Sequence, residues 1–208
     1  MKYLQIPVGP MENLSYLLWD EGTGSAAVID PAWQPELIEE KLKTPNINLD
    51  LILLTHAHPD HINACSYFLE KYTNLKILMH KEEEFLLEKP FDRTEYLRDG
   101  QEIKLGDEKL TVLHTPGHTP GSVCYLWKNL LFTGDTLFLG CCGRVDLPGS
   151  DPEAMRQSLL RISRLSENIE LLPGHAYNGF KTTIKAQKPA NICFKYLNDK
   201  EDFYRVVV

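Results

Sequence analysis

The run LDLILL has the length and continuous apolar character of a strand buried on both faces, and it leads directly into LTHAHPDHINA, Leu54 to Ala64. Three imidazoles and a carboxylate thus fall within the six residues from His56 to His61 at the end of a buried strand. Groups of this kind are costly to desolvate unless something pairs with them. The chain must therefore fold so that other polar groups, or an ion, meet this turn.

The remaining histidines and turns show where those partners stand. Of the seven histidines, His56, His58, His61, His118 and His175 sit at strand ends or in loops rich in Gly and Pro, and so does Asp135 in LLFTGDTLF. Each of these loops follows an apolar run: LTVL before His118, LLF before Asp135, IELLP before His175. Strand ends are where an α/β scaffold gathers distant residues into one cleft. His80 and His114 read as structural or surface residues.

The rest of the pattern gives the fold class. MKYLQIPV and LSYLLWD read as strands, and EGTGS turns the chain into AAVID as a hairpin partner, which Pro31 ends. PELIEEKLK reads as a short amphipathic helix, residues from about Asn63 to Tyr72 as another, and LKILM as a strand. KEEEFLLEKPFDRTEYLR gives no clear pattern. QEIKL and KLTVLHT form a hairpin, SVCYLW and NLLFTGD two further strands. After the loop LGCCGRVDLPGSD, Asp151 caps a helix with Pro152 in its first turn and Met155, Leu159, Ile162 and Leu165 on one face. IELLP is the last strand. Strands and helices distributed throughout, with hairpins among them and no linker, predict one mixed α/β domain over residues 1–208, with sheet packed on sheet.

Composition narrows the partners. A net charge of -7 argues against a nucleic-acid binder, which carries a basic face. No apolar run approaches a membrane span, and no signal peptide is visible. The five cysteines, an odd number without a C-x-x-C pair, suggest a reducing compartment, so the expected location is cytoplasmic.

The spacing carries chemistry. In extended chain, residues i and i+2 point the same way, so His56 and His58 suit one metal as a pair, with Asp60 and His61 facing an adjacent site. Imidazole and carboxylate suit zinc, iron or manganese without a thiolate. Two sites sharing seven ligands need one to bridge, and a carboxylate with its two oxygens makes Asp135 the choice.

THAHPDH, GHTPGS, FTGDTLF and LPGH, in this order, resemble the metallo-β-lactamase-fold superfamily, from NLSYLLWDEGTGSAAVIDP to LPGHAYNG. The resemblance implies a four-layer αββα sandwich with metals at one edge of its sheets. It implies that His56, His58 and His118 hold one metal, that Asp60, His61 and His175 hold a second, and that Asp135 bridges. Two divalent ions are expected, zinc foremost. Such a pair lowers the pKa of bound water toward about 7 and polarises a carbonyl, which makes hydrolysis the natural chemistry, with Asp60 orienting the nucleophile or carrying its proton.

The loop GCCGRVDLPGSD is similar to the glyoxalase II (hydroxyacylglutathione hydrolase) branch and its relatives, the persulfide dioxygenases. That similarity assigns Arg144 and Tyr177 to substrate binding. A guanidinium takes a carboxylate bidentately, though a surface salt bridge is the other reading of Arg144. Larger glyoxalase II enzymes carry a C-terminal helical domain, and here only about thirty residues follow His175. Asp146 stands where the larger enzymes have an aromatic residue, as in persulfide dioxygenases and short glyoxalase II-like enzymes, and Cys141 replaces a usual Gly. The expected substrate is a small thioester such as an acylglutathione, because a thiolate leaves with little acid help. The alternatives are a persulfide dioxygenase with a single iron and a lactonase of the same fold. Phe194, Tyr196, Leu197 and Phe203 of the tail are expected to pack on the fold, and the apolar YRVVV would suit a homodimer.

Overall fold

The computed structural model describes residues 1–43 and 47–208. Alternation along the strands explains the apolar runs. In β2 (Asn13–Trp19), Leu14, Tyr16 and Leu18 face a second sheet while Leu17 faces helices. In β3 (Ser25–Ile29), Ala27 and Ile29 point to the second sheet, and Ala26 and Val28 away from it. β4 (Asn48–Leu53) divides in the same way, Leu53 to one side and Ile52 to the other. Strands covered on both faces need apolar residues at every position, so period-two patterning disappears into a continuous run.

Two six-stranded sheets result. The first is ordered β1 (Lys2–Val8), β2, β3, β4, β5 (Lys76–His80), β6 (Thr94–Leu97); β1 to β3 pair antiparallel and β3 to β6 parallel. The second is ordered β7 (Glu102–Leu105), β8 (Glu108–His114), β9 (Val123–Trp127), β10 (Leu130–Gly134), β11 (Glu170–Pro173), β12 (Thr182–Thr183), antiparallel except where β10 meets β11. Outside the first sheet lie α1 (Pro35–Leu42), α2 (Pro59–Ile62) and α3 (Cys65–Lys71), with Ile38, Leu42, Cys65 and Phe68 buried against it. Outside the second lie α4 (Pro152–Ser163), α5 (Ile184–Ala190), α6 (Ile192–Lys195) and α7 (Lys200–Val207). The layers are αββα, as the resemblance implies.

Details differ from the sequence reading. The helix expected from about Asn63 to Tyr72 is α3, Cys65–Lys71, and a separate turn that was not expected, α2 at Pro59–Ile62, precedes it and carries Asp60 and His61. KEEEFLLEKPFDRTEYLR supplies a 3₁₀ segment, Lys81–Leu86, and the edge strand β6. IELLP is followed by the short β12. Asp151 caps α4 as expected, its carboxylate accepting from the Glu153 and Ala154 N–H groups, but the helix ends at Ser163, so Leu165 joins the core from beyond it. Phe194, Leu197 and Phe203 are buried with Tyr196 against α4 and the second sheet.

Buried polar struts join the layers near the His-rich edge. The Tyr125 hydroxyl in β9 donates to the Leu54 carbonyl beyond β4, and the Tyr16 hydroxyl in β2 donates to the Pro173 carbonyl in β11, each at 2.6 Å. Glu83, fully buried in the 3₁₀ segment, accepts the Ala57 N–H at 2.6 Å and the Gly121 N–H at 2.8 Å. One carboxylate thereby fixes both the turn between His56 and His58 and the loop after His118. Glu83→Gln replaces one acceptor with an amide nitrogen and leaves a buried N–H unpaired. That should cost about 2 kcal/mol and lower Tm by roughly 4–8 °C in a melting experiment; an unchanged Tm would remove the strut's role.

Candidate metal centre

Parallel strands and two glycines set the geometry of this edge. β3, β4, β10 and β11 end here, delivering Asp30, His56, Asp135 and His175 from their carboxyl ends. Asn13 arrives at the start of β2 and bridges to His175. Gly134, at φ +48°, turns β10 into Asp135; a Cβ there would meet Thr55 Oγ1 at 2.3 Å. At Gly143 a Cβ would lie 2.1 Å from the Asp135 carbonyl, so that loop closes on the site only with glycine.

All seven residues singled out as ligand candidates converge. His56, His58 and His118 form one group, and Asp60, His61 and His175 another, with the donor atoms of each within 4.8 Å of one another. His58 Nδ1 lies 2.9 Å from His118 Nε2, and His61 Nε2 lies 3.1 Å from His175 Nε2. Ring nitrogens about 2.0–2.1 Å from one tetrahedral ion stand about 3.3 Å apart, so both pairs need only a small relaxation. Asp135 lies between the groups: Oδ2 is 3.5 Å from His118 Nε2 and 3.4 Å from His175 Nε2, and Oδ1 is 3.4 Å from His61 Nε2.

The opposite edges of the rings are anchored. His56 Nδ1 donates to Thr55 Oγ1 (3.1 Å), His61 Nδ1 to Asp30 Oδ2 (3.1 Å), His118 Nδ1 to the Arg144 carbonyl (2.8 Å) and His175 Nδ1 to the Met11 carbonyl (2.8 Å). Those bonds leave the Nε2 edge of each ring facing inward. Among the described residues, His56 Nε2 and Asp135 Oδ1 are the buried side-chain polar atoms with no hydrogen-bond partner. Buried donors and acceptors are almost always satisfied, so this pair marks where an additional group belongs. The donor set of imidazoles and carboxylates fits zinc, iron or manganese.

The protonation pattern follows from burial and charge. Burial, reinforced by the neighbouring imidazoles, holds His56 well below the usual imidazole range and His58 at about 4, so both are neutral donors. Burial acts the same way on His61 and His175, but nearby carboxylates outweigh it. Asp135 and Asp30 push His61 well above the ordinary value, and Asp135 and Asp60 raise His175 to about 9. Burial likewise pushes the partner carboxylates up, yet the surrounding imidazoles leave Asp60 below and Asp135 well below the usual range.

Three positioning residues escaped the sequence reading. Asp30 accepts from the Thr55 N–H (2.7 Å), the Thr55 hydroxyl (2.5 Å) and His61. It lies close to His56 and His61, but it binds the outward edge of the His61 ring, so it orients a ligand candidate rather than joining the set. Its signal was present: a carboxylate ending the strand AAVID. Asn13 donates to Asp60 Oδ2 (2.9 Å) and accepts from the Trp33 indole N–H (2.8 Å), and Glu83 is the strut described above; neither carries a sequence signal.

A cavity of about 430 Å³ opens onto the donors, walled by Met11, Leu86, Phe138 and Leu147, with Arg144 and Tyr177 at its rim. Tyr177 stacks on His175, ring centres 4.7 Å apart, and burial with nearby carboxylates pushes its phenol up to about 12. Arg144 is exposed and holds Asp146 through two 2.8 Å hydrogen bonds. His80 and His114 line no part of this cavity; they stack on each other, centres 4.2 Å apart.

Residues 8–175 match the family model described as the metallo-beta-lactamase superfamily. A probable polyketide biosynthesis zinc-dependent hydrolase of Bacillus subtilis is 34% identical over 92% of this chain and 85% of its own. The hydroxyacylglutathione hydrolase GloC of Haemophilus influenzae is 31% identical over 94% of this chain and 97% of its own. The crystal structure of ETHE1 from Myxococcus xanthus superposes with a TM-score of 0.88 at 27% identity, covering 100% of this chain and 90% of that one. With its model matched from the first strand to the last ligand candidate, and its sandwich and strand-end cluster in place, the chain belongs to the metallo-β-lactamase superfamily.

Proposed function

We propose that the protein is a dinuclear metal-dependent hydrolase acting on a small thioester such as an acylglutathione. The observation that carries this reading is the Asp135 carboxylate set between two three-residue donor groups, with His56 Nε2 and Asp135 Oδ1 lacking a hydrogen-bond partner among the described residues. The names borne by the Haemophilus and Bacillus relatives support it. His56, His58 and His118 would hold one ion, Asp60, His61 and His175 the other, with Asp135 shared. Zinc is the ion we assign, because the donors are imidazole and carboxylate and the Bacillus relative is named zinc-dependent. Bound there, the ions would acidify water toward a pKa of about 7 and polarise the scissile carbonyl.

The chain's own groups supply the rest. Asp60, kept ionised and fixed by Asn13, accepts a hydrogen bond from the attacking water and aims it. Met11, Leu86 and Phe138 exclude solvent from the acyl group. Tyr177 stays protonated at neutral pH and offers its hydroxyl at the rim, while Arg144 meets a substrate carboxylate by exchanging it for Asp146. The exchange costs little, because both partners are exposed and solvent already screens their attraction. No strong general acid is needed for a thiolate whose pKa is near 8.5.

One observation favours a second reading, oxidation of a persulfide at a single iron. The chain superposes over its whole length on ETHE1 from Myxococcus xanthus. Elemental mass spectrometry on protein isolated without added metal separates the two. Two ions per chain, with thioester turnover, supports the hydrolase; one iron per chain, with oxygen uptake on a persulfide, replaces it.

His58→Ala should abolish turnover and lower bound metal together, and loss of activity with full metal content would remove His58 from the ligand set. Arg144→Ala should raise KM for an anionic thioester about 3- to 10-fold and leave a neutral one unchanged; equal losses on both would refute the recognition role. Because His175 binds its proton up to about 9, cation uptake beside it must release that proton. Zinc affinity of the site formed by Asp60, His61 and His175 should therefore rise with pH between 6.5 and 8.5, by at least about tenfold per unit, in competition titrations against a chromophoric chelator. A flat profile would contradict the ion-paired state of His175.

A further inference from the structure

Three of the five cysteines come together although nothing in their spacing announces it. Cys65 lies in the core of the first sheet and Cys124 in β9 beneath the second. Cys141 and Cys142 sit in the loop after Asp135, and Cys193 sits in the first turn of α6. The Cys193 thiol donates to Cys142 Sγ across 3.3 Å.

The approach is built by the backbone. Asn191 caps α6 by accepting the Cys193 N–H at 2.9 Å, and its amide donates to the Phe138 and Cys141 carbonyls, each at 3.1 Å. The Ile192 N–H donates to the Gly140 carbonyl at 3.0 Å, and the Gln187 amide oxygen accepts the Gly140 N–H at 2.7 Å. The loop and helix are thus laced together around the two sulfurs. Cys193 is 1% exposed and Cys142 half-buried, so Cys142 is the more open of the two. Among the described residues, none of the clusters compact enough to hold a metal includes a cysteine, which leaves chemistry between two sulfurs.

We infer that Cys142 and Cys193 are a peroxide-oxidisable pair that closes to a reversible intrachain disulfide. The Cys142 thiolate attacks hydrogen peroxide, forming an S–O bond and breaking the O–O bond; the second oxygen takes a proton and leaves as water. Cys193 Sγ then attacks Cys142 Sγ, the S–O bond breaks, and the hydroxide leaves as water with the Cys193 proton. Two thiols and one peroxide give one disulfide and two waters. The sulfurs need to close from 3.3 Å to about 2.05 Å.

The position gives the bond its meaning. The next residue, Gly143, donates its N–H to the Asp135 carbonyl at 2.9 Å, and the Arg144 carbonyl beyond it accepts from His118 Nδ1 at 2.8 Å. Oxidation would tether covalently to α6 the segment that supports two of the ligand candidates and Arg144. The inference stands whichever reaction the centre performs.

Folded protein is treated with hydrogen peroxide, alkylated and digested with trypsin without reduction. The peptides 129–144 and 186–195 should appear joined, lighter by two hydrogens, and dithiothreitol should separate them. Fragmentation of the wild-type species should place the bond on Cys142 rather than Cys141, so the assignment does not depend on a variant folding. Cys141→Ser should retain the link, and Cys142→Ser and Cys193→Ser should lose it. A bond to Cys141, or oxidation of Cys142 to sulfinic acid with no linked peptide, would overturn the inference.

Discussion

A buried imidazole nitrogen and a buried carboxylate oxygen without hydrogen-bond partners among the described residues are the constraint around which this molecule is arranged. His56 Nε2 and Asp135 Oδ1 come from different sheets, and each is aimed by its own strand end into the same small volume. Leaving such atoms unpaired costs free energy that a purely structural edge would avoid by carrying apolar residues. The surroundings reinforce the arrangement. Thr55, Asp30, Arg144 and Met11 each hold the far side of an imidazole, so the lone pairs have one direction left to face.

That anchoring explains why the scaffold needs two sheets. One sheet would deliver ligand candidates along a line, whereas two packed sheets deliver them from opposite sides. The buried hydroxyls of Tyr16 and Tyr125 and the carboxylate of Glu83 cross between layers close to the cluster, fixing the spacing of the two sets. The same logic accounts for the glycines at 134 and 143, where backbone must approach Thr55 and Asp135 more closely than a side chain permits.

Much of this was legible in the sequence. The strands stood out because burial on both faces produces long apolar runs, and the donors stood out because each follows such a run. The paired use of His56 and His58 follows from the two-residue period of extended chain. What lay hidden depended on contacts between segments far apart. Asn13 and Glu83 look like ordinary polar residues until folding sets one against Asp60 and buries the other beneath two loops. The segment from Lys81 to Arg98 gave no pattern because a 3₁₀ turn and an edge strand, half-exposed, follow neither helical nor alternating periodicity. The turn α2 went unread because four residues are too few to show helical periodicity, and its separation from α3 arises from the site: the Asn63 carboxamide oxygen accepts the Trp33 N–H, at the end of the β3 loop.

The cavity bears on the proposed substrate class more than the donors do. Any chemistry of two ions could run on these seven side chains, yet the walls are apolar and the Arg144 cation at the rim is already matched by Asp146. A polyanion such as a nucleic acid would meet too little positive charge to offset its own repulsion by Asp60, Asp135 and the net charge of -7. A ligand with an apolar acyl group at the centre and a single carboxylate at its outer end would match wall and rim together. That combination of a carbonyl near the donors, a hydrocarbon contact with Phe138 and one exchangeable anion at Arg144 is what a small acylated thiol presents.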